Sequence, residues 1–284
     1  MSRYDIVQSH MIIGGIPYYL GYMKKGQSLA QNIDRLFFAK GAKLHNEYDR
    51  LFTSVFAKPE QMKSIVQLLG TRHSGFTRQE IFAKTGLKDC GNSTKLLKAL
   101  VASDFIHAYV PFGTGKRDVH YKLIDPFCLF YMKFVQGRTE LDPEFWMHNV
   151  TSQSVSSWRG FAFEEVCFSH ISQIKKALDI LGVSSTQSSW ALKGDDETEG
   201  AQMDLLINRK DNVVNLCEMK LYNEKFTVTK SYYSKLVHRQ NLLIERLPKR
   251  AVIHNVLVTT EGLTYNEYSG VFQNVVTIDD LFVK

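Results

Sequence analysis

Two strand-length runs constrain this chain more than any other feature. Ala201-Gln202-Met203-Asp204-Leu205-Leu206-Ile207 and Val214-Asn215-Leu216-Cys217-Glu218-Met219-Lys220 are apolar except where a carboxylate interrupts them. Arg209-Lys210-Asp211-Asn212 between them has the residue types of a tight turn. Side chains alternate across a strand with period two. Met203, Leu205 and Ile207 are therefore expected on one face and Asp204 on the other. Glu218 and Lys220 share a face, opposite Cys217 and Met219. Paired as a hairpin, the two strands bring Asp204 near Glu218.

Carboxylates in an apolar sheet carry a desolvation cost unless something pairs with them. A divalent cation is one such partner. Mg²⁺, or Mn²⁺ in its place, takes hard oxygen ligands, one or two of them carboxylates, and keeps waters. Such an ion polarises a phosphate and sharpens a water nucleophile. Lys220 is placed to orient that water and to stabilise charge developing on the phosphate. Glu164, in Trp158-Arg159-Gly160-Phe161-Ala162-Phe163-Glu164, offers a third carboxylate from a preceding helix. The expected site is thus Glu164, Asp204 and Glu218 as metal ligands, with Asp204, Glu218 and Lys220 catalytic. Glu218-x-Lys220 taken alone equally describes a solvated ion pair on a strand, worth under about 1 kcal/mol.

The flanking pattern places these runs in a mixed sheet. A helix is expected over about 160–181, strands near 186–192, 202–208 and 213–221, and a helix over 230–247. A strand at Val252–Thr260 and a strand-helix at Val275–Phe282 follow. The fold class expected is α/β (α+β overall), with helices flanking a mixed sheet.

The first half has a different rhythm. Residues 1–57 are expected to be helices joined by short turns, and Pro59 opens the next helix. Glu60–Leu69 has helical spacing, Thr77-Arg78-Gln79-Glu80 is a capping box, and Gly86 ends that helix. A third helix is expected over 93–103, then strands at 106–111 and 119–123 around a loop carrying Lys116 and Arg117. Three helices followed by a hairpin is the winged-helix order, expected over 58–123. Its DNA-contact candidates are Lys95, Lys98, Lys116, Arg117 and Lys122, although winged helices also dock proteins and surface lysines are common. The aromatic stretch 124–157 is expected to be a helical connector whose rings form core. Residues 158–284 form the last domain. On its helix, Lys230, Lys235, His238 and Arg239, with Lys249 and Arg250 beyond, are further phosphate-holding candidates or simply a solvated face.

Composition narrows the function classes. The chain has 284 residues, 44% hydrophobic and 23% charged, with a formal charge of +6. That balance leans toward polyanion partners, and is as common among soluble proteins without nucleic-acid partners. The four cysteines are far apart and include no C-x-x-C pair, so reduced thiols in a cytoplasmic protein are expected. No apolar run approaches the roughly 20 residues needed to cross a bilayer. The histidines form no H-E-x-x-H, and no G-x-S-x-G is present.

Four phrases together resemble a known family. They are Gly14-Gly15-Ile16-Pro17-Tyr18-Tyr19-Leu20, Trp158 to Glu164, Gly200-Ala201-Gln202-Met203-Asp204-Leu205-Leu206 and Leu216-Cys217-Glu218-Met219-Lys220. They resemble the C-terminal portion of archaeal and bacterial AAA+-like ATPases that end in a DUF234-type domain. The order Glu164, Asp204, Glu218-Met219-Lys220 is similar to the PD-(D/E)xK nuclease-like core. The resemblance implies that residues 1–57 correspond to the lid end of an ATPase, followed by the winged helix and the nuclease-like domain. The sequence departs from that family in lacking an ATPase core. A P-loop needs G-x-x-x-x-G-K-[ST]. At the Gly115-Lys116 step the first glycine is replaced by Val110, and Arg117 follows the lysine. No ATP site is expected, and a separate ATPase module is an expected partner alongside DNA. The other reading is a non-catalytic regulatory or docking fragment that keeps the nuclease-like fold as a scaffold.

Overall fold

A computed structural model describes residues 1–138, 142–192 and 201–283, apart from the side chains of Ala191 and Asp204. The chain is α/β and divides into two compact units. One comprises residues 1–109 and 119–162, the other residues 110–118 and 163–284. The first unit therefore gathers the N-terminal helices, the three-helix-and-hairpin segment and the aromatic connector into one body.

In the first unit, α1 (Arg3–Ile13), α2 (Pro17–Leu20) and α3 (Leu29–Ile33) lead into a π-turn at Asp34–Phe38, and α4 (Glu47–Val55) follows. Next come α5 (Pro59–Leu69), β1 (Phe76–Thr77), α6 (Arg78–Thr85) and α7 (Gly91–Ala102). Pro59 starts α5 at a position that needs no backbone donor. Thr77 and Glu80 form the expected reciprocal capping box, and Gly86 closes α6 in the left-handed conformation. Arg72 fixes the Glu80 carboxylate with a bond to each oxygen at 3.0 Å.

The strands β2 (Ile106–Tyr109) and β3 (His120–Leu123) pair antiparallel, and β1 adds to β3, giving the order β1-β3-β2. Gly75 is required here. Its φ is +68°, and a Cβ would lie 2.2 Å from the Tyr121 carbonyl oxygen.

The helices α8 (Pro126–Phe134), α9 (Phe145–Asn149) and the first part of α10 (Gln153–Ser169) complete the unit. Their aromatics are core, as their clustering predicts. Phe130 meets Phe37, Trp146 and Trp158 edge to face at 4.9, 5.1 and 5.4 Å.

The second unit takes the remainder of α10, then α11 (Ile171–Ala177), β4 (Ser185–Leu192), β5 (Ala201–Arg209) and β6 (Val213–Lys220). β7 (Phe226–Thr227), α12 (Lys230–Ile244), β8 (Val252–Thr259) and β9 (Leu263–Thr264) follow. A 3-10 turn at Ser269–Val271, β10 (Asn274–Thr277) and α13 (Ile278–Leu281) end the chain. The five-stranded sheet has the order β10-β8-β6-β5-β4. β4, β5 and β6 form an antiparallel meander; β8 and β10 run parallel to β6. Return to a parallel neighbour needs a long crossover, which α12 supplies.

Positions 214–219 of the central strand β6 are buried on both faces. On the face carrying Val214 and Leu216, a core of Trp190, Met203, Leu206 and Ile253 packs with Leu243 of α12. Leu236 of α12 packs farther along with Leu257, Phe226 and Phe272. Phe112, from the 110–118 loop, packs on the first of these clusters, and its N–H bonds the Ser189 carbonyl at 3.0 Å. The loop read from sequence as a wing is thus part of the second unit. Among the described residues no helix is long and apolar enough to cross a membrane.

Candidate functional site

The side chains facing α12 from β6 converge as the alternation predicts. Lys220 Nζ lies 3.4 Å from Glu218 Oε2. Glu218 is 1% exposed, so this is no solvated surface pair. Two α12 residues complete its surroundings. Arg239 Nη1 donates to Glu218 Oε1 at 2.8 Å, and the Tyr232 hydroxyl donates to Oε2. The Lys220 ammonium also stands 5.7 Å from the centre of the Tyr232 ring.

Helical periodicity explains the convergence. Tyr232, Leu236, Arg239 and Leu243 fall at i, i+4, i+7 and i+11 of α12, one face of a helix. Leu236 and Leu243 are fully buried and pin that face to the sheet. The two polar members are thereby held against Glu218. This corrects the expectation for Arg239, which pairs with the buried carboxylate instead of waiting for phosphate on an open face. Tyr232 was not among the sequence candidates. The stripe of α12 held the signal, since a phenol and a guanidinium sit within its apolar repeat.

The expected strand faces need one correction. Ser188 pairs with Leu206 and Trp190 with Met203, so two residues of β5 oppose one of β4. That β-bulge shifts parity between Met203 and Leu206. Met203 accordingly packs with Leu206 and not on the face of Leu205 and Ile207. Asp204 lies within the bulge. The register Leu205↔Cys217 puts its backbone at the level of Glu218; its side chain lies outside the described residues.

Glu164 stands half-buried on α10, within the second unit. Among the described residues no three His, Cys, Asp or Glu side chains gather to hold a metal ion. The structure thus brings Glu218 and Lys220 together and does not add Glu164 to them as a described cluster.

Another oxygen is available beside the pair. Thr259 is opposite Lys220 in the parallel β6–β8 register. Its Oγ1 is fully buried and, among the described residues, has no hydrogen-bond partner. Alternation puts Thr259 on the face of Leu257, which packs with Leu236 of α12. A buried hydroxyl without a partner leaves a hydrogen-bonding capacity for something else to satisfy.

The nucleic-acid candidates separate. Lys95 and Lys98 are exposed on α7, and Lys116 and Arg117 are exposed on the 110–118 loop. Lys122 is only 8% exposed and does not present an open ammonium for phosphate. Its position on β3 turns it inward, where its charge acts on His73 and His107. Of the cysteines, Cys128, Cys167 and Cys217 are buried, Cys90 is exposed and all four are free thiols.

No family model matches the chain, and no curated protein matches it. Among solved structures it is similar to protein VC1899 from Vibrio cholerae, with a TM-score of 0.30 and 11% identity. The match covers 89% of this chain and 57% of the other, so the chain spans a little over half the length of that protein. A likeness that slight does not bear on function.

Proposed function

We propose that the second unit is a nuclease-like domain that hydrolyses phosphodiesters in DNA with Mg²⁺ or Mn²⁺. The observation carrying this reading is the placement of Glu218 and Lys220, side by side on one face of β6, next to the bulge that holds Asp204. The strand order gives further support. An antiparallel meander followed by a helical crossover to a parallel strand puts both residues near the C-terminal end of β6, where open α/β sheets commonly bind ligands.

The donors fit a hard cation. Glu218 and Asp204 offer carboxylates and Thr259 a hydroxyl, and Mg²⁺ asks little more from protein because it retains waters. When bound, the ion polarises the phosphodiester and lowers the pKa of water. Lys220 orients the attacking water and offsets charge on the phosphate. Tyr232 fixes the rotamer of Glu218. Arg239 neutralises the carboxylate and must yield part of it for the ion to bind. Exposed Lys95, Lys98, Lys116 and Arg117 supply phosphate contacts that position DNA without reading its sequence. Glu164 is the remaining proposed ligand.

Purified protein should nick supercoiled plasmid in Mn²⁺ or Mg²⁺, and Asp204→Ala and Lys220→Ala should each abolish it. Equal nicking by wild type and both variants would exclude this site.

A second reading has its own observation. Both Glu218 oxygens already accept bonds from α12, so the charge needs no ion. On that reading the domain is a non-catalytic docking scaffold for a separate ATPase module. Titration calorimetry separates the two: Mn²⁺ binding that disappears in Asp204→Ala supports the hydrolytic reading, and its absence from wild type supports the scaffold.

A further inference from the structure

The first unit contains a cleft of about 800 Å³ that the proposed hydrolytic site does not use. That is within the range of small-ligand pockets, about 300–1,000 Å³. Its walls come from the end of α5, from α8 and from the first turns of α10. The lining has two distinct characters. One part is flat and apolar: Phe161, 37% exposed, stacks on His73 with centroids 3.8 Å apart and planes 15° from parallel. Trp158 and Met132 extend this surface. Met132 lies against α5 because residue 70 is glycine; a Cβ there would come within 2.4 Å of the Met132 methyl.

The other part is polar and positive. Lys133 is exposed on α8, and Ser154 and Ser157 add hydroxyls from α10. Among the described residues, none lining the cleft carries a carboxylate. The charges of Lys122 and Lys133 are felt inside it. With burial as the larger cause, they hold the His73 imidazole below its ordinary range.

A flat ring surface beside a cation and hydroxyls, with no acid to repel an anion, matches a ligand joining a planar heteroaromatic ring to a phosphate. We infer that this cleft binds a nucleoside phosphate, the base against Phe161 and the phosphate at Lys133. Base-on-aromatic stacking and an ammonium point charge are the usual partners of these two groups. The same chemistry occurs in a free nucleotide and in the 5′-terminal nucleotide of a strand.

The test uses the full chain, with AMP as probe and tryptophan fluorescence and equilibrium dialysis as readouts. AMP should bind saturably, and adenosine and inorganic phosphate should each bind more weakly. Lys133→Glu should weaken AMP binding by at least about tenfold, the scale of one charge-assisted contact. Ser157→Tyr should fill the cleft and block binding. Asp204→Ala should leave AMP binding unchanged, which separates this inference from the hydrolytic one. A 5′-phosphorylated oligonucleotide bound as tightly as AMP assigns the cleft to strand ends; weaker binding assigns it to the free nucleotide. The inference is overturned if AMP binding does not saturate, or if both variants bind AMP like wild type while keeping its circular dichroism spectrum.

Discussion

A single carboxylate shows how much its partners matter. Glu218 is desolvated, and Arg239, Tyr232 and Lys220 together satisfy its charge and lone pairs. Removing Arg239 leaves Glu218 Oε1 without its donor, while Lys220 and Tyr232 still meet Oε2. Arg239→Ala should therefore lower the urea unfolding free energy by about 1–3 kcal/mol, the cost of leaving a buried acceptor unsatisfied. On the hydrolytic reading, Mn²⁺ then neutralises the same carboxylate. It should raise the melting temperature of Arg239→Ala more than that of wild type; equal shifts would contradict competition between ion and guanidinium.

His73 and His107 make a second case. Burial first, and then neighbouring Lys122, hold both below the ordinary imidazole value of 6.5. The unfolded chain therefore binds protons at a pH where the native imidazoles stay neutral. Stability present above about pH 6.5 falls as the pH drops toward their native values. Melting temperature should decline from pH 7 to pH 5, and His73→Gln with His107→Gln should flatten that slope. An unchanged slope in the double variant would show that other groups set it.

At the scale of elements, helix starts divide into local and distant kinds. The capping boxes at Thr77–Glu80 and Ser28–Gln31 lie within four consecutive residues, so sequence shows them directly. The start of α9 works differently. The N–H groups of its second and third residues, Trp146 and Met147, donate to Asp34 at 2.6 and 3.1 Å across more than a hundred residues. Burial raises the Asp34 pKa, and these two bonds oppose the rise. Asp34→Ala should destabilise the first unit by about 1–3 kcal/mol, the cost of leaving buried donors unmade. Hydrogen exchange at Trp146 and Met147 should quicken most; unchanged protection there would refute the capping role. The strands show the same division. Their alternation is legible in Val214–Lys220, whereas the β5 bulge depends on pairing with β4 and reverses the expected side for Met203.

For the whole molecule, the division into units is not fully linear along the chain. The sequence reading starts the last domain at residue 158, with the helix that precedes its strands. The compact second unit starts on that same helix, α10, at residue 163, and also takes in residues 110–118. Phe112 is the side chain through which that loop joins the core of Trp190, Met203 and Leu216. Phe112→Ala should therefore speed amide exchange in β4–β6 and leave α5–α7 unaffected. It should cost about 1–3 kcal/mol, less than full loss of a buried phenylalanine because the ring is only partly covered. Equal acceleration in both units would contradict the assignment of this loop.

The amino-acid sequence alone determined most of the longer helices and strands and their succession along the chain, the local capping box at Thr77–Glu80, and the shared face of Glu218 and Lys220. Each follows from interactions within a few residues or from a fixed period of two or 3.6, which a linear chain displays. Tertiary structure decided who neutralises Glu218, where β5 bulges, what caps α9 and which unit holds the 110–118 loop. Those outcomes rest on contacts between residues 13 to 113 positions apart, and charge, desolvation and steric fit act only once folding has brought such residues within a few ångströms.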